Sequence, residues 1–485
     1  MTIDPAERHQ LEEVLHVDAT GITPVADGNR DGTALQMFWI WSGANLAPIS
    51  WIVGTIGMTL GLSLLETILV TVIGQAVGAA IFGLSALMGH RTGVCQMVLA
   101  RVAFGRRGAY LPAALQTIVV TGWIGVNTYV VVDLVLGILR ELGVNPGTGS
   151  TYLLAGAIMI GQILIAVWGF YAIRTIEKYA VPLVAAVMVV MTVLVLARID
   201  EVSWTQSSLA GADKFTAMTQ LLTAVGVGWA MGWMTWASDY SRFTSLDVSP
   251  RRLYASSVLG IFAPLAWLSV LGALAGATSD ATDPVGIVTT LFGAATIPVL
   301  CVILHGPVAA NVVNIYTASL GLLALDIKIK RAAASVLAGI VGFIPLVMFL
   351  ESSSFSSSFG NFMSSLVVWM SPWAGVTLVD WFVIHRQQVD VASLYAPPTT
   401  SRYGDVNVRA LGAFALGLAA AWSCQYGPIA AFQGPIARLT GQVDLSWAVG
   451  LSVSASVYYC LVRRRTIHLE EGAAESSTDS RPLGS

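Results

Sequence analysis

The chain has 485 residues, 55% of them hydrophobic and only 11% charged, with a mean hydropathy of +0.73. Soluble domains carry about 25% charged residues, so this composition excludes a soluble globular protein and describes a polytopic membrane protein. Lys and Arg number 25 against 28 Asp and Glu, a net charge of −3 with no basic face for nucleic acid, and four scattered cysteines form neither a disulfide framework nor a zinc site.

Residues 1–33 are polar and of mixed charge, with no apolar h-region, and read as a cytoplasmic N-terminal tail and not as a signal peptide. A helix crossing a hydrocarbon core of about 30 Å needs about 20 mainly apolar residues. Twelve segments meet that need. Five fall in a first unit, 34–200, at 35–60, 64–88, 111–139, 152–171 and 179–197. Five more fall in a second unit, 201–386, at 216–238, 254–276, 285–325, 332–350 and 355–384. The eighth segment is too long for one straight span and predicts a short flanking helix at its start. A cytoplasmic connection, 387–407, leads to two further spans within 408–463, at 408–426 and 445–462. The small, polar stretch 464–485 reads as a disordered cytoplasmic tail.

Cytoplasmic connections of membrane proteins are enriched in Lys and Arg. With both termini cytoplasmic, the inside segments hold 21 of the 25 basic residues, and only Arg140, Arg198, Lys214 and Arg438 fall outside. That asymmetry reads as both termini inside with an even number of spans, and the composition reads as that of an inner (plasma) membrane protein.

Five spans per unit is an odd number, so the second unit lies inverted relative to the first. The predicted fold is therefore an all-α polytopic membrane protein of 12 transmembrane helices, a LeuT-type 5+5 inverted repeat plus two extra helices. In that architecture the first helix of each repeat is broken near the bilayer midplane. Helix-weakening residues stand at those places: Ser42-Gly43-Ala44-Asn45-Leu46-Ala47-Pro48 in the first segment and Gly226-Val227-Gly228-Trp229-Ala230-Met231-Gly232 in the sixth. A single glycine in a membrane helix is more often a packing residue. Two clusters at equivalent places favour a binding site, because freed backbone survives in lipid only where it lines a cavity.

Catalytic signatures are absent: there is no G-x-S-x-G elbow, no H-E-x-x-H and no P-loop. The missing catalytic constellation argues against an enzyme and the missing signalling domain against a receptor, so the chain reads as a transporter, coupled to an ion gradient for want of a P-loop and needing no cofactor. Polar and aromatic residues gather mid-span, with Trp123 and Asn127 on segment 3, Gly228 and Trp229 on segment 6, and Asn311 and Asn314 on segment 8. Two facing indoles make a slot for a flat heteroaromatic ring. An Asn amide offers donor and acceptor together and suits the edge of such a ring. The competing role for the Asn pair is interhelical hydrogen bonding. Asp239, Asp326 and Asp380 lie at helix ends near basic residues and read as loop clamps. Asp133, seven residues from Arg140, reads as its partner, with proton carriage in reserve.

Several motifs together resemble the nucleobase–cation symporter family of cytosine, purine, hydantoin and allantoin permeases. They are Gly89-His90-Arg91-Thr92-Gly93 with Gln96-Met97 and Arg101-Val102-Ala103-Phe104-Gly105, then Ser238-Asp239-Tyr240-Ser241-Arg242-Phe243, and Pro372-Trp373-Ala374-Gly375-Val376 with Asp380-Trp381-Phe382. Asn311-Val312-Val313-Asn314-Ile315-Tyr316-Thr317 resembles the fungal purine–cytosine branch. The resemblance implies a ring stacked between Trp123 and Trp229, with polar contacts from Asn314 and Asn311. It also implies a cation site combining carbonyls near Ala44 and Ala47 with oxygens of segment 8. Two departures bear on specificity. Val120 stands where bacterial cytosine permeases have Gln, and His305-Gly306-Pro307-Val308-Ala309-Ala310 lacks the hydroxyls of sodium-coupled members. The expectation is a symporter of a nucleobase or related flat heterocycle, coupled to H⁺ in preference to Na⁺ through His305. Same-fold alternatives are hydantoin, allantoin, pyridoxine and thiamine.

Overall fold

The computed structural model describes residues 21–168, 170–279, 283–353, 355–426 and 433–478. Among them the only non-helical pairing is one isolated β-bridge between Gly32 and Thr244. The first predicted span is two helices, α1 (Ala34–Asn45) and α2 (Ile49–Thr59), and Thr33 with Gln36 closes a capping box at the start of α1. The chain continues through α3 (Leu64–Thr92), α4 (Gln96–Phe104), α5 (Tyr110–Glu141), α6 (Thr148–Trp168) and α7 (Phe170–Leu196). The second half starts with α8 (Gly211–Leu221), a π-helical turn Leu222–Val227, α9 (Gly228–Gly232), a 3-10 turn Trp233–Thr235 and α10 (Ala237–Ser241). Then come α11 (Pro250–Ser279), α12 (Pro284–Phe292), α13 (Thr296–Ile303), α14 (His305–Ala324), α15 (Arg331–Leu350) and α16 (Phe355–Leu378), the last ending in a π-helical turn Val379–Ile384. α17 (Val391–Tyr395), α18 (Val408–Ser423), α19 (Pro435–Leu439) and α20 (Ser446–Thr478) complete the described chain.

Seven of these helical runs are long and apolar enough to cross a bilayer, and Ile49–Thr59, Ala180–Leu196 and Val408–Ser423 are shorter apolar helices. The two broken spans fall short as single helices because no piece reaches about 20 residues. Large apolar side chains face outward, among them Leu153, Ile118, Met348 and Ile340, all more than half exposed. Such a surface is stable only against lipid.

The short flanking helix expected at the start of segment 8 is α12, followed by α13 from Thr296. The boundaries differ from the expectation in two places. The predicted loop between segments 4 and 5 is helical from Phe170 onward, since no Gly or Pro interrupts the sequence until Pro182. The last helix runs past 462 to Thr478, into the stretch read as a disordered tail, because Ala, Glu and Leu there are strong helix formers. Residues 1–20 and 479–485 of the two predicted tails lie outside the described residues.

α3 packs along α11 and against the π-helical turn of the sixth span. The crossing is close: a Cβ on Gly74 would stand 2.5 Å from the Gly226 Cα, so both positions must be glycine. The sixth span is also tied to the loop preceding α20. Thr216 and Gln220 donate to the carbonyls of Gly441 and Gln442 at 3.2 and 3.0 Å. Thr219 accepts the Asp444 N–H at 3.1 Å, and Thr223 donates to the Asp444 carbonyl at 3.1 Å. These four residues share one helical face.

The Arg-rich end of the bundle is closed by a polar network. Arg101, 1% exposed, donates to Asp326 and to the carbonyls of Ala324 and Leu394. Arg106 pairs with the same carboxylate, and Tyr110 donates to it at 2.6 Å. Burial raises the Asp326 pKa, but the Tyr110 hydroxyl and the two guanidiniums outweigh it and hold the carboxyl below its ordinary value. Asp239 accepts the Gln96 N–H at 2.8 Å, and Asp380 accepts the Tyr458 hydroxyl at 2.6 Å. All three aspartates therefore join helices to loops or to one another. Glu66, at the other end, caps α3 with Ser63 and pairs with Lys214 at 2.6 Å.

Candidate functional site

The break in the first span follows from one missing hydrogen. Pro48 has no N–H, so the Ala44 carbonyl loses the partner four residues on, and α1 ends at Asn45. α14 lies against this break: a Cβ on Gly306 would stand 2.3 Å from the Leu46 carbonyl oxygen and 2.8 Å from the Ala47 Cα. On the sixth span, the π-helical turn and the following 3-10 turn rotate successive tryptophans toward the same region.

A cavity opens between these elements. Its wall takes Ala44, Asn45, Ala47, Ile49 and Ser50 from the first break, and Trp229, Gly232, Trp233 and Trp236 from the sixth span. Trp123 and Asn127 come from α5, and Ala310 and Asn314 from α14. The cavity is small, about 20 Å³, the size of a single water site. Trp123 packs edge-on against Trp229 and against Phe362, with centroids 5.4 and 5.3 Å away, and Phe359 touches both indoles.

Of the residues singled out from the sequence, Trp123, Asn127, Trp229, Asn314, Ala44 and Ala47 stand together on this wall. The other four stand elsewhere. Gly228 is not on the wall and faces α16 and its own preceding turn, where a Cβ would meet Val367 at 2.7 Å and the Thr223 carbonyl at 2.8 Å. Asn311 donates to Thr128 at 2.8 Å and to Gln162 at 2.7 Å, tying α14 to α5 and α6. His305 is half-buried and off the cavity wall. Asp133 pairs with Arg140 at 3.4 Å, also off the wall. The indoles also depart from the expectation of facing planes, since they meet at 86°.

Ser50 was not singled out from the sequence, and Asn45 was named only as part of the helix-weakening stretch of the first span. Their signal was present, because both are polar residues within three positions of Pro48 in an otherwise apolar span. The Asn45 side chain donates to the Trp41 carbonyl at 2.7 Å, and Asn127 donates in the same way to the Trp123 carbonyl at 3.0 Å. Among the described residues the Asn314 amide makes no hydrogen bond to another side chain or to backbone, although it is only 2% exposed.

Two broken helices meeting at a polar–aromatic cavity, inside an apolar all-helical bundle, define a secondary transporter of LeuT-type architecture. The chain belongs to the nucleobase–cation symporter family: the family described as "Permease for cytosine/purines, uracil, thiamine, allantoin" matches residues 24–450. Among curated relatives it is 25% identical over 460 residues to a candidate purine–cytosine permease of Bacillus subtilis, YxlA, covering 93% of this chain and 97% of that one. It is 23% identical over 480 residues to the purine–cytosine permease FCY2 of Saccharomyces cerevisiae, covering 93% of this chain and 87% of that one. Among solved structures it shares the fold of Mhp1, a nucleobase-cation-symport-1 family transporter in a closed conformation with bromovinylhydantoin bound. The TM-score is 0.74 at 19% identity, covering 93% of this chain and 95% of that one.

Proposed function

We propose that this protein imports an uncharged nucleobase, or a closely related flat heterocycle, by alternating access across the plasma (inner) membrane. Both termini face the cytoplasm, and protons are preferred to sodium as the coupling ion. The observation that carries this reading is the meeting of Trp123, Trp229, Asn127 and Asn314 on one wall beside the break in the first span. Indole faces bind planar rings, and amides read their edges. The relatives named above, permeases for purines and cytosine, support the same cargo class.

Hydantoin and allantoin remain within this reading, since both are neutral and compact. Thiamine fits less well. No residue on the cavity wall is charged, and a fixed cation desolvated there would have no counter-charge. The test is an uptake panel of radiolabelled cytosine, adenine, hypoxanthine, uracil, hydantoin, allantoin, pyridoxine and thiamine in a permease-deficient strain. Saturable uptake of a neutral ring is expected. Uptake of thiamine alone would overturn the assignment.

A further inference from the structure

We infer that Asn45 is a specificity residue of the transport site, an acceptor of fixed direction that reads a ring N–H or exocyclic amine of the cargo. This rests on the proposed function and names a requirement on the substrate of that same cavity.

Asn45 occupies the last position of α1, where the first span breaks, and it is 2% exposed. Its amide nitrogen donates to the Trp41 carbonyl at 2.7 Å. A carbonyl can only accept, so that bond decides which end of the amide is which. The nitrogen is held back along α1, and the oxygen is left to face other partners. Among the described residues Asn45 Oδ1 is buried and has none. The break around it is held in shape, since the Ser50 hydroxyl donates to the Asn45 backbone carbonyl at 3.4 Å.

An orphaned buried acceptor costs free energy unless something pairs with it. The same wall holds orphans of the opposite kind, because the indole N–H groups of Trp229 and Trp236 are also buried without an acceptor. A single neutral heterocycle with an N–H on one edge and a carbonyl or ring nitrogen on another satisfies both kinds at once. A freely turning amide accepts or donates as required and discriminates little. Asn45 cannot turn without breaking its bond to Trp41, so it rejects a cargo that presents an acceptor or a methyl group to it.

The competing role is local: the same bond to Trp41 caps the end of α1, and loss of a cap weakens every ligand alike. Two variants separate the roles. Asn45→Leu keeps the shape but has no acceptor. Asn45→Asp keeps an acceptor oxygen but loses the bond to Trp41. Binding of cytosine, adenine, uracil and hydantoin, and of each ring N-methyl isomer, is measured by tryptophan fluorescence on purified full-length protein, with thermal melts to confirm folding. In wild type, methylation at one ring position is expected to weaken binding about tenfold or more. Asn45→Leu is expected to bind the parent ring about five- to 100-fold more weakly and to lose discrimination at that position, while Asn45→Asp retains it. Should the leucine variant not fold, Asn45→Ala replaces it and the same ratio decides. If the acceptor-free variant keeps the wild-type ratio at every position, or if both variants weaken all ligands equally, the inference is overturned and Asn45 is a cap. If wild type binds none of the rings, the proposed function itself falls, and this inference with it.

Discussion

Trp123 and Trp229 meet edge to face, with ring centroids 5.4 Å apart and planes at 86°. The edge of one indole rests on the face of the other, a favourable arrangement of two quadrupoles. A guest stacked on both needs parallel faces about 7 Å apart, twice the ordinary carbon–carbon contact. Under the proposed function, entry of a ring would exchange one aromatic contact for two and require an indole to swing.

Trp123→Ala and Trp229→Ala should each weaken binding of the transported ring about five- to 150-fold, the range for loss of one stacking face. The protein should still reach the membrane, because among the described residues neither indole bridges distant elements by a hydrogen bond. Ligand binding to both purified variants checks this. Wild-type affinity in the two would remove the indoles from the site.

Asn311 and Asn314 should behave differently. Asn314→Ala should change the ranking of ring-substituted analogues, since its amide stands on the cavity wall. Asn311→Ala should leave that ranking intact and lower thermal stability, because it removes bonds to Thr128 and Gln162 worth roughly 0.6 to 2 kcal/mol. The paired measurements are inhibition profiles and melting curves. A reversed pattern would exchange the two roles.

This pair also shows where sequence reading stops. Residues three apart on a helix are offset by about 60°, enough here to send one amide into the cavity and the other into a seam between three helices. The broken spans were legible because Pro48 and the Gly226–Gly232 cluster are chemically unsuited to a continuous helix. Trp123, Asn127 and Asn314 were legible as polar or amphipathic residues deep in apolar runs. The perpendicular indoles were not, since ring planes depend on side-chain torsions set by neighbours such as Phe359 and Phe362. Nor was the tie from Thr219 and Thr223 to Asp444, which joins a helix to loop backbone more than 200 residues later. Gly228 carries the same letter as the glycines at the break, yet its missing Cβ makes room for Val367.

Gly306→Ala should impair transport without abolishing folding. The added methyl group would meet the Leu46 carbonyl and the Ala47 Cα, pushing α14 away from the unwound stretch of the first span. A displacement of about 1 Å at a positioned site can cost on the order of 100-fold in turnover. Proteoliposome uptake beside a melting curve tests it, and wild-type uptake would mean that α14 tolerates the shift.

His385 should make the Arg-rich end of the bundle sensitive to alkali. Its ring is hydrogen-bonded to Asp380 at 3.2 Å, which raises its pKa above the ordinary value against burial and the nearby Arg402. Tyr458 donates to the other oxygen of Asp380, and Tyr403 packs edge-on to the imidazole. A group with a raised native pKa contributes its full stabilisation below the unfolded value, about 6.5, and loses it as pH rises through the native value. Melting temperature should therefore fall from pH 6 to pH 8.5 more steeply in wild type than in His385→Gln. Identical slopes would show that the pair contributes nothing to this junction.

The coupling ion is the last expectation, and protons are favoured over sodium. A sodium ion stripped of water needs several oxygens, and the first break offers backbone carbonyls near Ala44 and Ala47, of which Ala44 lacks its helical partner because Pro48 has no N–H. The facing part of α14 supplies little to complete the shell. Ala309 and Ala310 are buried there with methyl side chains, and Gly306 and Pro307 have no side-chain oxygen. His305 opens the same helix, half-buried, and brings the one imidazole of that span to this region. An ionisable residue within a span is a candidate for ion coupling, with Asp133, which pairs with Arg140, in reserve behind His305. In proteoliposomes, an inward proton gradient without sodium should drive accumulation that a protonophore collapses. His305→Ala should reduce that accumulation while leaving equilibrium binding of the ring within about threefold. Uptake that strictly requires sodium and ignores the pH gradient would overturn the assignment, and would mean that Ser50 or further backbone carbonyls complete a sodium site at the break.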